Sequence, residues 1–177
     1  MRNIENMHAK VVVSGCPGCC LALKEEYPRI LGRELNFEVV HFAQLLDRYA
    51  TEGKLRIPEL HATTTYHDPC ELARLGGVVD EPRRVLRSFV KKLIEPEESG
   101  SIGRRCWSGG LLKATNSTMS GNLAEKRLAM LQSTGADIVT SACRSCVQNL
   151  TEALSKFQES KRVQDLAELV AQQIGLT

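Results

Sequence analysis

A short β-branched run, Ile138-Val139-Thr140, leads through Ser141-Ala142 into Cys143-Arg144-Ser145-Cys146, after which the pattern turns helical. No other stretch limits the fold as much. A buried strand that ends on C-x-x-C at a helix start places two thiols about one turn apart on the same side. The helix N-terminus adds free N–H groups and partial positive charge, which favour thiolates. The stretch is half of a soft-metal site, and the rest of the chain must fold so as to complete it.

Other cysteines stand in the same relation to an expected strand. Cys16 follows Lys10 to Ser14, Cys70 follows Ala62 to His67, and Cys106 comes at the end of a short strand expected over Arg104 to Trp107. Phe37 to Phe42 reads as one more strand. Helical patterns are expected over Leu21 to about Leu31, Ala43 to Thr51, Pro82 to about Ile94, Leu123 to Ser133, from Cys146 to about Phe157, and over Arg162 to Ile174. Alternation of this kind predicts an α/β fold, a parallel sheet with flanking helices.

In a parallel sheet all strand C-termini share one edge, where α/β proteins place their ligands. Cys70, Cys106 and Cys143 lie 36 and 37 positions apart, about one β–α repeat each. Cys70, Cys106, Cys143 and Cys146 are therefore expected to form a four-thiolate cage at that edge. Four sulfurs suit an iron–sulfur cluster or tetrahedral zinc; the plain alternative is inert cysteines packed as small hydrophobes. Ser108-Gly109-Gly110 follows Cys106 and is expected to let backbone approach a bulky cofactor and offer N–H donors to its sulfurs. Trp107 is expected to shield the site. His67 is read as a structural histidine hydrogen-bonded beside Asp68, or as a ligand or proton relay on the same rim.

The motif has an echo. Val11 to Leu23, with Cys16-Pro17-Gly18-Cys19-Cys20, can be laid on Ile138 to Leu150, strand upon strand and C-x-x-C upon C-x-x-C. This predicts pseudo-repeated half-units. Cys16, Cys19 and Cys20 are a candidate second site, with further ligands from a partner chain; a redox dithiol and a pair that merely packs are the alternatives.

Composition narrows the function classes. Of 177 residues, 42% are hydrophobic and 25% charged, with a formal net charge of +2, so nothing electrostatic points to nucleic acid. No apolar run is long enough to span a bilayer, so direct membrane insertion is not expected. The first ten residues lack the apolar core of a secretory signal, which predicts a cytoplasmic chain whose seven cysteines stay reduced.

The motifs also carry a family resemblance. Tyr66-His67-Asp68-Pro69-Cys70, Pro82-Arg83-Arg84-Val85-Leu86, Cys106-Trp107-Ser108-Gly109-Gly110, Gly135-Ala136-Asp137 and Cys143-x-x-Cys146 together resemble the cysteine-rich CCG domain. That domain occurs in the B-type and D-type polypeptides of heterodisulfide reductase. It also occurs in iron–sulfur subunits of glycolate oxidase, lactate utilisation and anaerobic glycerol-3-phosphate dehydrogenase systems. The resemblance implies a complete CCG-like domain over residues 59–177 and, because members often carry two in tandem, an incomplete first unit over residues 1–58. It also implies an iron–sulfur electron-transfer subunit with flavin or iron–sulfur protein partners. In heterodisulfide reductases five cysteines hold a non-cubane cluster that cleaves a disulfide. Here Trp107 stands where the second of an adjacent Cys-Cys pair belongs. The four remaining thiolates suit a cubane 4Fe–4S cluster for electron transfer or a zinc ion, the latter in a non-catalytic scaffold.

Overall fold

The computed structural model describes residues 2–156 and 161–176. The chain runs α1 (Arg2–Asn6), β1 (Val11–Ser14) and α2 (Pro17–Leu21), then through a π turn (Ala22–Glu26) into α3 (Tyr27–Leu31). Gly32, left-handed at φ 63°, stops that helix. Next come β2 (Glu38–His41), α4 (Phe42–Thr51), β3 (Leu60–His67), a second π turn (Glu71–Leu75), α5 (Asp80–Arg87) and β4 (Val90–Leu93). A 3₁₀ turn (Gly100–Ile102), α6 (Leu112–Thr115) and α7 (Ser117–Gln132) lead to β5 (Ile138–Ser141), α8 (Arg144–Leu154), β6 (Arg162–Asp165) and α9 (Leu166–Gln173).

Every strand pairing is parallel. The larger sheet has the order β4-β3-β5-β6, while among the described residues β1 and β2 pair only with each other. The fold is thus the expected parallel α/β type, but its strands fall into two sheets. Alternate residues of the central strand β5 face opposite layers. Ile138 packs with Tyr66, Leu46 of α4, Val85 and Leu86 of α5 and Leu169 of α9. Val139 packs on the other side with Leu128 and Leu131 of α7 and Leu150 of α8, and Cys106, Cys143 and Cys146 belong to that second cluster. Leu86, Leu128, Leu131 and Leu150 are fully buried, each contributing about 1.5–3 kcal/mol of apolar burial. These three cysteines therefore sit against a packed core, not on a loose surface loop.

The repeat seen in the sequence is a repeat of structure, and it extends further than Leu23 and Leu150. Ser14 pairs with His41 in one sheet and Ser141 with Asp165 in the other. Both second strands end on an N-cap: His41 accepts from Ala43 N–H, and Asp165 accepts from Ala167 N–H. Strand, cysteine pair, helix, strand and capped helix occur twice.

Three expectations are corrected. The helix expected from Pro82 to Ile94 starts at Asp80 and ends at Arg87; Ser88 Oγ donates to Val85 O at 2.6 Å, and the chain continues as edge strand β4 with Lys91 and Lys92 exposed, residues that suit an unpaired edge. The helix expected from Arg162 begins at Leu166, because Arg162–Asp165 pairs with β5 as β6; its Leu166, Leu169 and Val170 lie in the core. Arg104 to Trp107 is not a strand. The helix after Cys143 ends at Leu154; Phe157, its expected limit, lies outside the described residues. No helix among the described residues is long and apolar enough to cross a membrane.

Candidate metal centre

Cys70 is delivered by the end of β3. The preceding Asp68 is 2% exposed and is gripped by Arg83, whose NH1 and NH2 donate to its two oxygens at 2.7 and 2.8 Å. Gly100 N–H donates to Asp68 at 2.7 Å, and Arg83 also donates to Glu95 at 2.9 Å. A guanidinium buried between two carboxylates in forked geometry is a rigid peg, and it fixes the turn Asp68-Pro69-Cys70.

Cys143 and Cys146 are delivered by β5 and the start of α8. Cys143 is the N-cap, with extended backbone at φ −155°, and Cys146 lies one turn in. Ser141 Oγ donates to His67 O at 2.9 Å, tying the two strand ends together just before their cysteines diverge.

Cys106 arrives differently. It comes from the irregular segment after the 3₁₀ turn, and two buried side chains hold its backbone. Asn149 Nδ2 of α8 donates to Cys106 O at 2.8 Å and to Ser120 Oγ at 3.3 Å. Ser120 Oγ of α7 donates to Trp107 O at 2.8 Å. The expected strand is replaced by side-chain anchors from the two helices beneath.

The sulfurs converge. Cys106 and Cys146 Sγ are 3.1 Å apart, and the His67 ring and these two sulfurs offer ligand atoms within 4.8 Å of one another. Cys70, Cys106, Cys143 and Cys146 all line one cavity of about 310 Å³, together with Ser108, Gly109, Gly110, Trp107 and Arg105. All four cysteines and the three cofactor-facing residues named from the sequence thus lie around one space. Cys16 lines the same cavity. Cys19 is exposed and Cys20 is buried, the latter among Phe37 and Val39, so the candidate second site is split between the cavity rim and the core. Trp107 is 38% exposed and covers the cavity only in part; its backbone is left-handed at φ 64°.

Electrostatics differ from thiol to thiol. The Cys146 thiol, then His67 and the Ser108 N–H, hold Cys106 well below its ordinary value against the cost of burial. Cys143 is also lowered, first by Cys146. Cys146 is raised, first by Cys106, then by Cys143 and by burial. Burial raises Cys70, opposed by Arg105. Cys19 is raised by its bond to Cys16, and Cys20 by burial. A set of thiols that gives up protons this unevenly binds soft metal strongly only once all are thiolates.

His67 is fully buried, as a structural histidine should be, but its partner is not Asp68. Arg127 Nε, from α7, donates to His67 Nδ1 at 3.2 Å. Arg127 and Asn149 are the residues sequence reading missed. Both occupy apolar helix faces: Arg127 lies among Ala124, Leu128 and Leu131, and Asn149 among Cys146, Leu150 and Ala153. A polar residue on a buried stripe needs partners, and that was the available signal.

A family model described as CCG, cysteine-rich domain, matches residues 64–151. One polypeptide of the dihydromethanophenazine:CoB--CoM heterodisulfide reductase of Methanosarcina barkeri is 37% identical over 176 residues, covering 98% of this chain and 43% of that protein. EtfAB:quinone oxidoreductase of Syntrophomonas wolfei is 29% identical over 180 residues, covering 96% of this chain and 25% of that protein. One polypeptide of the fumarate reductase (CoM/CoB) of Methanothermobacter marburgensis is 33% identical over 147 residues, covering 82% of this chain and 28% of that protein. The chain spans less than half the length of each of these relatives.

Proposed function

The chain belongs to the cysteine-rich CCG domain family through residues 64–151, and from that premise we propose that it is an iron–sulfur electron-transfer domain of a heterodisulfide-reductase-like oxidoreductase. Cys70, Cys106, Cys143 and Cys146 hold a 4Fe–4S cluster in this reading. The observation that carries it is that these four thiols, from three separate segments, line one cavity of about 310 Å³, with Cys16 of a fourth segment at its rim. Gly109 and Gly110 line the same cavity without side chains to fill it, which supports a bulky cluster over a single zinc ion.

The donor set also fits. Thiolates are the ligands of iron–sulfur clusters, and the Ser108 backbone N–H helps lower the Cys106 thiol, which favours its thiolate. A bound cluster supplies one-electron transfer. The chain's own residues do the rest: Arg83 and Asp68 fix the Cys70 turn, Asn149 and Ser120 fix the Cys106 segment, and Ser108 to Gly110 present backbone to the cavity. Trp107 in place of an adjacent second cysteine leaves Cys70, Cys106, Cys143 and Cys146 as the motif's own thiolates, with Cys16 of the first C-x-x-C on the rim of the same cavity; in this reading the four are the ligands of a cubane electron carrier and Cys16 is a neighbour outside the ligand set. Partners in this reading are the flavin or iron–sulfur subunits and segments of a redox complex, in the cytoplasm.

The test is anaerobic reconstitution with iron and sulfide, followed by metal and sulfide analysis and visible and EPR spectra. Iron and sulfide in the ratio of a 4Fe–4S cluster, with its absorbance, are expected. A colourless protein holding one zinc per chain would overturn the proposal.

A further inference from the structure

His67 and Arg127 are 0% and 1% exposed. Arg127 Nε donates to His67 Nδ1 at 3.2 Å, and its two terminal nitrogens donate to the Glu98 carbonyl at 3.3 Å. A guanidinium is a donor only and stays charged in proteins. To accept its N–H, Nδ1 must present a lone pair. A neutral imidazole has one ring proton, which then sits on Nε2. Nε2 is buried with no hydrogen-bond partner among the described residues, while the ring lies within 4.8 Å of the Cys106 and Cys146 sulfurs, the polar atoms nearest to hand for its proton.

Two roles at the sulfurs compete, and the Arg127 bond decides between them. As a metal ligand, Nε2 would need its lone pair, so the proton would move to Nδ1 and face the Arg127 N–H donor-to-donor in a buried site. As a hydrogen-bond donor, Nε2–H needs the tautomer that Arg127 already enforces. We propose that Arg127 is a positioning residue that locks His67 in the Nε2–H tautomer, so that His67 donates a hydrogen bond to the Cys106 sulfur and is not a metal ligand. The tautomer stands on the protein alone; its consequence for a cluster rests on the iron–sulfur reading above. Hydrogen bonds to ligand sulfurs stabilise the more negative, reduced state and raise the reduction potential.

The test has two arms. The first uses the metal-free full chain labelled with ¹⁵N-histidine, read by long-range ¹H–¹⁵N correlation, with His67→Gln identifying the resonance. The Nε2–H pattern is expected for His67, with both tautomers appearing in Arg127→Met. An Nδ1–H pattern in the unsubstituted protein would overturn the proposal, and this holds even if Arg127→Met does not fold. The second arm uses reconstituted protein. Arg127→Met and His67→Leu should shift the midpoint potential in the negative direction. His67→Gln, which keeps an N–H donor but offers no imidazole, should keep its full iron load and hold the potential nearer the unsubstituted value. Iron lost from His67→Gln, or potentials unmoved in both other variants, would overturn the assignment. A chain that takes up only zinc defeats the functional proposal, while the first arm still decides the tautomer.

Discussion

Asn149 Nδ2 donates to the backbone carbonyl of Cys106 at 2.8 Å, joining residues 43 positions apart inside the protein. This bond does for Cys106 what a strand does for Cys70 and Cys143. Asn149 is 2% exposed, so Asn149→Leu leaves a buried carbonyl without its donor, at a cost of about 1–3 kcal/mol. Denaturant unfolding of the metal-free chain should show a loss in that range. The same variant should hold markedly less iron after reconstitution, because the Cys106 segment is released. Full iron binding with unchanged stability would mean that the bond does not place the cysteine.

Two adjacent arginines make a contrast. Arg83 and Asp68 are both buried and doubly bonded, whereas Arg84 is half-exposed where it meets Asp47. Removing one partner of a buried pair strands a charge and costs about 3–5 kcal/mol. Arg83 keeps Glu95, so Asp68→Ala is expected near the low end, about 3 kcal/mol. Asp47→Ala should cost within about 1 kcal/mol, as solvent-screened pairs do. Urea midpoints of the two variants, measured side by side, check the difference.

His41 gives the fold a pH dependence. Burial lowers its pKa from 6.5 to about 4, opposed by the Gly15 carbonyl. The folded state therefore holds His41 neutral, while the unfolded chain takes up a proton below pH 6.5. Its stabilising contribution is complete above pH 6.5 and is lost as pH falls to about 4, a decline on the order of 3 kcal/mol for this one group. His41 also caps α4 by accepting from Ala43 N–H at 3.2 Å. His41→Asn keeps an acceptor at the cap and removes the titration. Unfolding free energies at pH 7 and pH 5 should converge in that variant relative to the unsubstituted chain. An equal pH slope in both would assign the dependence elsewhere.

Among the cysteines, burial alone does not mark a ligand. Cys20 packs with Phe37 and Val39 and takes no place around the cavity, so Cys20→Ala should cost about 1 kcal/mol of stability and leave the iron load intact. Serine at Cys70, Cys106, Cys143 or Cys146 should lower it. Iron analysis of the five variants separates packing from ligation, and an iron loss in Cys20→Ala would bring Cys20 into the site.

What the sequence showed of this molecule follows how local each cause is. The parallel fold was legible because Ile138 to Thr140 and Ala62 to His67 carry their strand character in their own residues. β4 was not, because Val85, Leu86, Phe89 and Val90 continue a helical period across the stop at Ser88. β6 was hidden in the same way, since Val163 falls in phase with Leu166 and Leu169, although Asp165 carries a helix-start signal. The cysteine set was legible through spacing that reflects one β–α repeat. The Asn149 anchor and the Arg127–His67 bond were not, because each joins segments that only the fold brings together.

Gly110 and Leu111 are both left-handed, at φ 64° and 63°, where the chain leaves the cavity and enters α6. At φ near 60° an L side chain costs roughly 1–2 kcal/mol, least for asparagine. Leu111 is 75% exposed, so its replacement forfeits little packing. Leu111→Asn should therefore stabilise the chain by about 0.5–1 kcal/mol. Gly110 has open space around an added Cβ, so Gly110→Ala meets no clash and carries only the backbone strain, a loss of about 1 kcal/mol. Neighbouring substitutions of opposite sign are the signature to seek in thermal unfolding. Equal signs would show that the turn relaxes out of this conformation.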